Sequence, residues 1–196
     1  VLLGLIWVVS LGFGVRALLS YESAPGGVGA VPKSWPANSK IQRATDRATL
    51  VMLAHPHCPC TRASVGELAR LMAQVQGKAT AYVIFLKPTN SGADWEESEL
   101  RRSAAKIPGV TVLSDVDGAE AGLFGAETSG HTLLFGANGE QLFSGGITAS
   151  RGHAGDNAGE DAIASLINNG KPARRSTLVF GCSLASRAAK GTACRN

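Results

Sequence analysis

Two short, nearly continuous apolar runs, Ala48–Ala54 (ATLVMLA) and Ala79–Leu86 (ATAYVIFL), constrain this chain more than any other feature. Runs this short and this apolar suit strands buried on both faces. Between them, Thr61–Val75 carries Val65, Leu68, Leu71, Met72 and Val75 at helical spacing. Asp94, with Glu97 three residues on, gives a capping-box-like start to a helix over Trp95–Lys106. Val110–Leu113 reads as a third strand and Ala119–Phe124 as a short helix. Thr132–Phe135 and Gln141–Ser144 flank Ala-Asn-Gly-Glu, a hairpin signal through Asn138-Gly139. Asp156 or Asn157 caps a last helix that carries Ile163, Leu166 and Ile167 and ends at Asn169-Gly170. The order β-α-β-α-β-α-β-β-α predicts an α/β fold, a mixed sheet flanked by helices.

A chain of 196 residues is long enough for one domain with appendages. Apolar residues make up 44% of it, which excludes a wholly disordered chain and a multi-pass membrane protein. The net charge of +4 comes from scattered Lys and Arg, and no basic stripe with stacking aromatics is visible, so no nucleic-acid partner is expected. Four Cys in a chain this long are not a disulfide-dense framework.

The ends differ from the middle. Val1–Val15 (VLLGLIWVVSLGFGV) is apolar and uncharged, and Ala17-Leu18-Leu19 continues it beyond Arg16. Residues 1–20 therefore read as a transmembrane anchor or a signal segment. The chain opens on Val, and a basic flank is expected upstream. Residues 21–45, rich in Gly, Pro and Ser, read as a linker holding a domain over 46–172 off the membrane. Residues 173–196 form a C-terminal extension in which Leu178-Val179-Phe180 is expected to dock and the last ten or so residues to fray. The soluble domain is placed on the periplasmic or extracytoplasmic side, where disulfides persist.

Chemistry concentrates in His55-Pro56-His57-Cys58-Pro59-Cys60, between the first strand and the first amphipathic helix. Unpaired N–H groups and the positive end of the helix dipole stabilise a thiolate there, and imidazolium neighbours do the same. One of the two Cys is expected to have a lowered pKa and to act as a nucleophile.

The stretch LVMLAHPHCPCTRASVGELARL resembles the active-site segment of thioredoxin-like proteins, and the resemblance runs over roughly residues 46–170. HPHCPC, SGGITASRGHAGDN and Phe180-Gly181-Cys182 are similar to the bacterial membrane-anchored RedB group. The resemblance implies a thioredoxin-like thiol–disulfide oxidoreductase acting on protein thiols or disulfides, without a cofactor. Cys58 or Cys60 would attack, the other or Cys182 would resolve, and His57 would tune the thiolate.

Three departures follow from the same comparison. One residue, Pro59, separates the Cys where thioredoxins have two. Either His57 then falls where the attacking Cys would be, or Thr61 falls at the resolving position. His131 stands where the family has a cis-proline, and Val51 where it has a buried acid. Proton transfer would then fall to His55 or His57. The resemblance also places the Gly-rich stretch Ser144–Asn157 beside the active-site loop, where Arg151 and His153 would contact substrate or a thiolate.

Thiolates and imidazoles together also suit Cu(I) or Zn. The alternative reading is a copper metallochaperone using His55, His57, Cys58, Cys60 and His131. Other patterns carry less. Asp115-Val116-Asp117-Gly118 lacks the later acidic spacing of a calcium loop and reads as a turn. No P-loop is present, and no Ser-His-Asp arrangement assembles from local motifs.

Overall fold

The computed structural model describes residues 2–171 and 174–184; Cys194 and the expected fraying of the tail lie outside them. In chain order the elements are α1 (Leu2–Ser23), β1 (Ala48–Ala54), α2 (Pro59–Val75), β2 (Ala79–Lys87), a 3₁₀ turn (Ala93–Glu96), α3 (Glu99–Ala105), β3 (Val110–Val116), α4 (Ala119–Leu123), β4 (His131–Phe135), β5 (Gln141–Gly145) and α5 (Ala158–Asn169). The five strands form one sheet in the order β3-β2-β1-β4-β5.

β1 is central. It runs parallel to β2, with Ala48 opposite Ala79, and antiparallel to β4, with Leu53 opposite His131. Side chains on successive residues alternate between faces, so an inner strand covered on both sides must be apolar throughout. Leu50, Met52 and Ala54 meet α2, α3 and α5 through Leu68, Leu71, Leu100 and Ile163. Val51 and Leu53 point the other way, into a second core with Ala121 and Phe124 of the α4 region. Each fully buried Leu, Ile or Phe contributes about 2 kcal/mol, so the two cores hold the sheet from both sides.

Local signals explain most of the boundaries. Asn157 caps α5, its Oδ1 accepting the Glu160 N–H at 2.8 Å, and Gly170 ends it at φ 68°. Gly139, at φ 85°, closes the β4–β5 hairpin, while Asn138 Oδ1 accepts the Glu140 N–H at 3.0 Å.

The helix expected over Trp95–Lys106 is shorter than its sequence pattern suggests. Asp94 heads only the 3₁₀ turn, and α3 starts after Ser98, whose Oγ accepts the Arg101 N–H at 3.2 Å. The interruption has a tertiary cause. Trp95 Nε1 donates to Leu86 O on β2 at 2.9 Å, and Glu96 is tied to Lys87, Ser114 and Arg101.

α1 has 22 residues and none of them is buried. At 1.5 Å per residue such a helix spans about 33 Å, enough to cross a bilayer core. Its mean hydropathy of 2.1 fits an anchor and equally a signal sequence.

The Gly/Pro-rich stretch after α1 lies against the domain. Gly26 N–H donates to Val179 O at 2.8 Å, Gly29 N–H to Gly125 O at 3.0 Å, and Gln141 N–H to Lys33 O at 2.9 Å. Gly125 is required at its crossing, because a Cβ there would sit 2.4 Å from Ala30 O and its φ is 65°. From the other end, residues 174–184 form a second strap in which Val179 and Phe180 are buried and Leu178 is exposed.

Candidate active site

β1 delivers the chain to the cysteine loop. The Cys58 N–H donates to His55 O at 3.2 Å, and the Thr61 N–H to Cys58 O at 3.1 Å. Pro59 opens α2, with Cys58 as the residue before it at φ −86° and ψ 115°. Proline suits this first helical position because its missing N–H would have had no partner there. Cys58 therefore stands at the positive end of α2, and Thr61 lies one turn inside the helix.

A third sulfur joins the pair. Cys58, Cys60 and Cys182 form a buried cluster. Cys182 arrives on the C-terminal strap, where its carbonyl accepts the Ser129 N–H at 2.8 Å. The strap comes this close only because residue 181 is glycine: a Cβ there would lie 2.0 Å from Ser129 O. Ser129 also accepts the His55 N–H at 2.8 Å and pairs with Thr61 Oγ1 at 2.6 Å.

The electrostatics separate the two sulfurs of the pair. Hydrogen bonds from Cys182 and then Cys60 hold the Cys58 thiol far below its ordinary range; Thr61 adds to this, and burial works against it. The Cys60 thiol is pushed far above its range by its hydrogen bond to Cys58, by burial and by the negative charge on Cys58. Arg151 opposes that rise through its charge and a hydrogen bond. Of the pair, Cys58 is thus the thiol shifted toward the thiolate and Cys60 the one shifted toward keeping its proton.

The imidazoles take other places. The His57 N–H donates to His55 Nδ1 at 3.2 Å, and the His57 ring packs edge-on to Trp95 with centroids 4.6 Å apart. His55 stands 5.6 Å from the same indole. The strongest influences on Cys58 come from thiols and a hydroxyl, whereas the sequence points to the ring of His57. Arg151 sits at the thiol site, and His153 is exposed further along the same loop.

His131 is fully buried, so the substrate contact expected of it is not available. It shares the sheet face of Leu133 and Phe135, opposite α2, and its Nε2 lies 2.8 Å from Ser144 Oγ. All peptide bonds of the described residues are trans, including those around this position. The five residues of the copper reading do not converge. Among the described residues no three His, Cys, Asp or Glu side chains form a group suited to a metal.

Thr61 and Ser129 carry parts of this site without standing out in the sequence. Only Thr61 had a signal, its position three residues after Cys58.

No protein-family model matches the chain, and no curated protein matches it. Among solved structures it is similar to an uncharacterized conserved protein from Geobacillus kaustophilus, at 18% identity and a TM-score of 0.60, covering 88% of this chain and 97% of that one. A hypothetical protein from Sinorhizobium meliloti 1021 is similar at 17% identity and a TM-score of 0.58, covering 84% and 97%. A putative thiol:disulfide interchange protein DsbE from Chlorobium tepidum is similar at 17% identity and a TM-score of 0.50, covering 70% and 96%. At these identities the likeness establishes the fold: a thioredoxin-like mixed sheet flanked by helices, with an N-terminal apolar helix.

Proposed function

We propose that this protein is a thiol–disulfide oxidoreductase, anchored by α1 and working on protein thiols or disulfides on the periplasmic or extracytoplasmic side of a membrane, in the manner of the RedB group it resembles. The observation that carries the reading is the buried meeting of Cys58, Cys60 and Cys182 at the N-terminus of α2, where hydrogen bonds lower the Cys58 thiol below its ordinary range. The thiolate is the nucleophile in disulfide exchange, and a helix N-terminus with hydrogen-bonding neighbours generates one at neutral pH. The name borne by the Chlorobium tepidum neighbour agrees with this chemistry.

In this reading Cys58 attacks a substrate disulfide, releases one substrate thiolate and holds the other in a mixed disulfide. Cys60, adjacent through Pro59, then attacks Cys58 Sγ, expels the second thiolate and leaves a Cys58–Cys60 disulfide. Cys182 stabilises the Cys58 thiolate by its hydrogen bond and is the alternative resolving thiol. His57, His55 and Trp95 form the aromatic rim of the loop, and His153 is exposed to substrate nearby.

Cys58→Ser is expected to abolish dithiol-driven reduction of a protein disulfide. Cys60→Ser is expected to accumulate a mixed disulfide on Cys58, read by peptide mass. Undiminished turnover in the Cys58→Ser, Cys60→Ser double variant would overturn the reading.

A further inference from the structure

We propose that the last turn of α1 is a working part of the thiol site: it holds Arg151 against Cys60, and Arg151 stabilises the Cys60 thiolate that resolves the mixed disulfide. The inference rests on the thiol–disulfide reading above and adds a role to a helix that otherwise serves only as an anchor.

Arg151 lies in an irregular Gly-rich loop, with Gly152 at φ 68° behind it. An arginine on such a loop loses rotamer freedom when it is fixed, so its position requires strong restraints. Three of these come from the end of α1 and the residue just after it. The Arg151 N–H donates to Glu22 O at 3.0 Å, its Nε donates to Ala24 O at 3.2 Å, and its guanidinium lies over the Tyr21 ring at 5.1 Å. The C-terminal end of a helix presents carbonyls without partners and a negative dipole end, which suits a cation. The fourth restraint is on the opposite side, where Nη1 donates to Gly181 O at 2.6 Å, one residue from Cys182. Between these two anchors the guanidinium stands beside the buried cysteine cluster, bonded to the residue that precedes Cys182, and its charge acts on Cys60.

The charged and titratable groups acting on Cys60 are Cys58 from α2 and Arg151 from the loop, with Cys182 of the C-terminal strap in the same cluster. Before attack, the negative Cys58 keeps the Cys60 proton in place. When Cys58 attacks a disulfide RS–SR′, R′S⁻ leaves and takes a proton from water, and Cys58 no longer carries charge. The influence that raised Cys60 has then gone, while Arg151 remains. Cys60 releases its proton to water, and the thiolate beside the guanidinium attacks Cys58 Sγ. A Cys58–Cys60 bond forms, the Cys58–SR bond breaks and RS⁻ departs. Two electrons pass from the cysteine pair to the substrate disulfide.

The test uses the full chain in detergent micelles, with Cys194→Ser to remove the tail thiol and dithiobis(nitrobenzoate) as the disulfide. Attack by Cys58 releases the first nitrothiobenzoate and resolution by Cys60 releases the second. Arg151→Gln, with its fold checked by circular dichroism, is expected to slow the second release relative to the first about tenfold at pH 7, the effect of about one pKa unit. It is also expected to move the midpoint of the second release to higher pH. Tyr21→Ala should slow only the second release, by a few-fold, and Arg151→Lys should recover most of the rate.

An unchanged second release in Arg151→Gln, or a Cys58–Cys182 bond as the product, overturns the assignment of Arg151 to Cys60. An effect of Arg151→Gln with none from Tyr21→Ala overturns the part assigned to α1. A wild-type chain in which Cys58 forms no mixed disulfide overturns the oxidoreductase reading itself.

Discussion

His131 brings an imidazole into a place where nothing accepts its charge. Its Nε2 lies 2.8 Å from Ser144 Oγ, while Nδ1 is buried with no partner among the described residues. A proton on Nε2 leaves Nδ1 as a bare lone pair, whereas a proton on Nδ1 would bury an unanswered donor, so the Nε2–H form is favoured. Burial lowers the pKa from 6.5 to about 4. Acidification between those values protonates the unfolded chain first, so the folded state loses stability as pH falls through that window, by ~3 kcal/mol at most. Urea midpoints at pH 7 and pH 4.5 should therefore show His131→Gln gaining on the wild type as pH falls; a constant difference between the two would refute the argument. At this scale the sequence brings out the cysteine pair. Cys58 and Cys60 are legible because strand, loop and helix are local patterns. Two other features depend on tertiary packing: Cys182 arrives through the contact of Gly181 with Ser129, and the His57 ring turns to Trp95.

Between α2 and α5 lies a pair of acids that the sequence gives little reason to notice. Glu67 falls on the buried stripe of α2, where it accepts the Gly155 N–H at 2.9 Å and pairs with Arg70. Glu160, in the first turn of α5, accepts from Gln74 Nε2 at 3.2 Å and Asn157 Nδ2 at 3.3 Å. Burial, followed by the hydrogen bond and charge of Glu67, raises Glu160 from 4.5 to about 7. A raised carboxyl contributes its stability at low pH and loses it as pH climbs from about 4.5 to 7, opposite in sign to His131. Glu160→Gln keeps an acceptor for one neighbour and a donor for Glu67. We expect it to match the wild type near pH 4.5 and to exceed it by about 1–2 kcal/mol at pH 8; thermal unfolding at the two pH values decides the matter. Elements were legible where apolar spacing alone sets them, as in β1, β2, α2 and α5. α3 was overestimated because a capping pattern is local, whereas the contact of Trp95 with Leu86 that ends the turn comes from the sheet.

The whole molecule is closed by its own ends. A stretch rich in Gly, Pro and Ser reads as a tether because its side chains show no period. What fixes it is backbone hydrogen bonding, which leaves no mark in composition. Its aromatic anchor is Trp35, half-buried, with ring centroids 5.3 Å from Phe124 and 5.1 Å from Phe135 on the second core, which Ile41 also joins. The Trp35 N–H also donates to Gly139 O at 2.8 Å, and Ser39 Oγ to Glu120 at 2.7 Å, so strap, hairpin and α4 form one unit. Removing a core aromatic costs about 3–5 kcal/mol, and a half-buried one at the lower end of that range. Trp35→Ala should therefore lower stability by about 3 kcal/mol, and a chain starting at residue 40 should lose more, because the backbone bonds of residues 26–35 go with the ring. A chain starting at residue 24 keeps both and should unfold like the full-length domain. Equal urea midpoints for the starts at 24 and 40 would mean that the strap only follows the domain surface. Unequal midpoints would mean that the segment between α1 and the sheet is built into the fold, and that α1 stands at a fixed distance from the sulfurs.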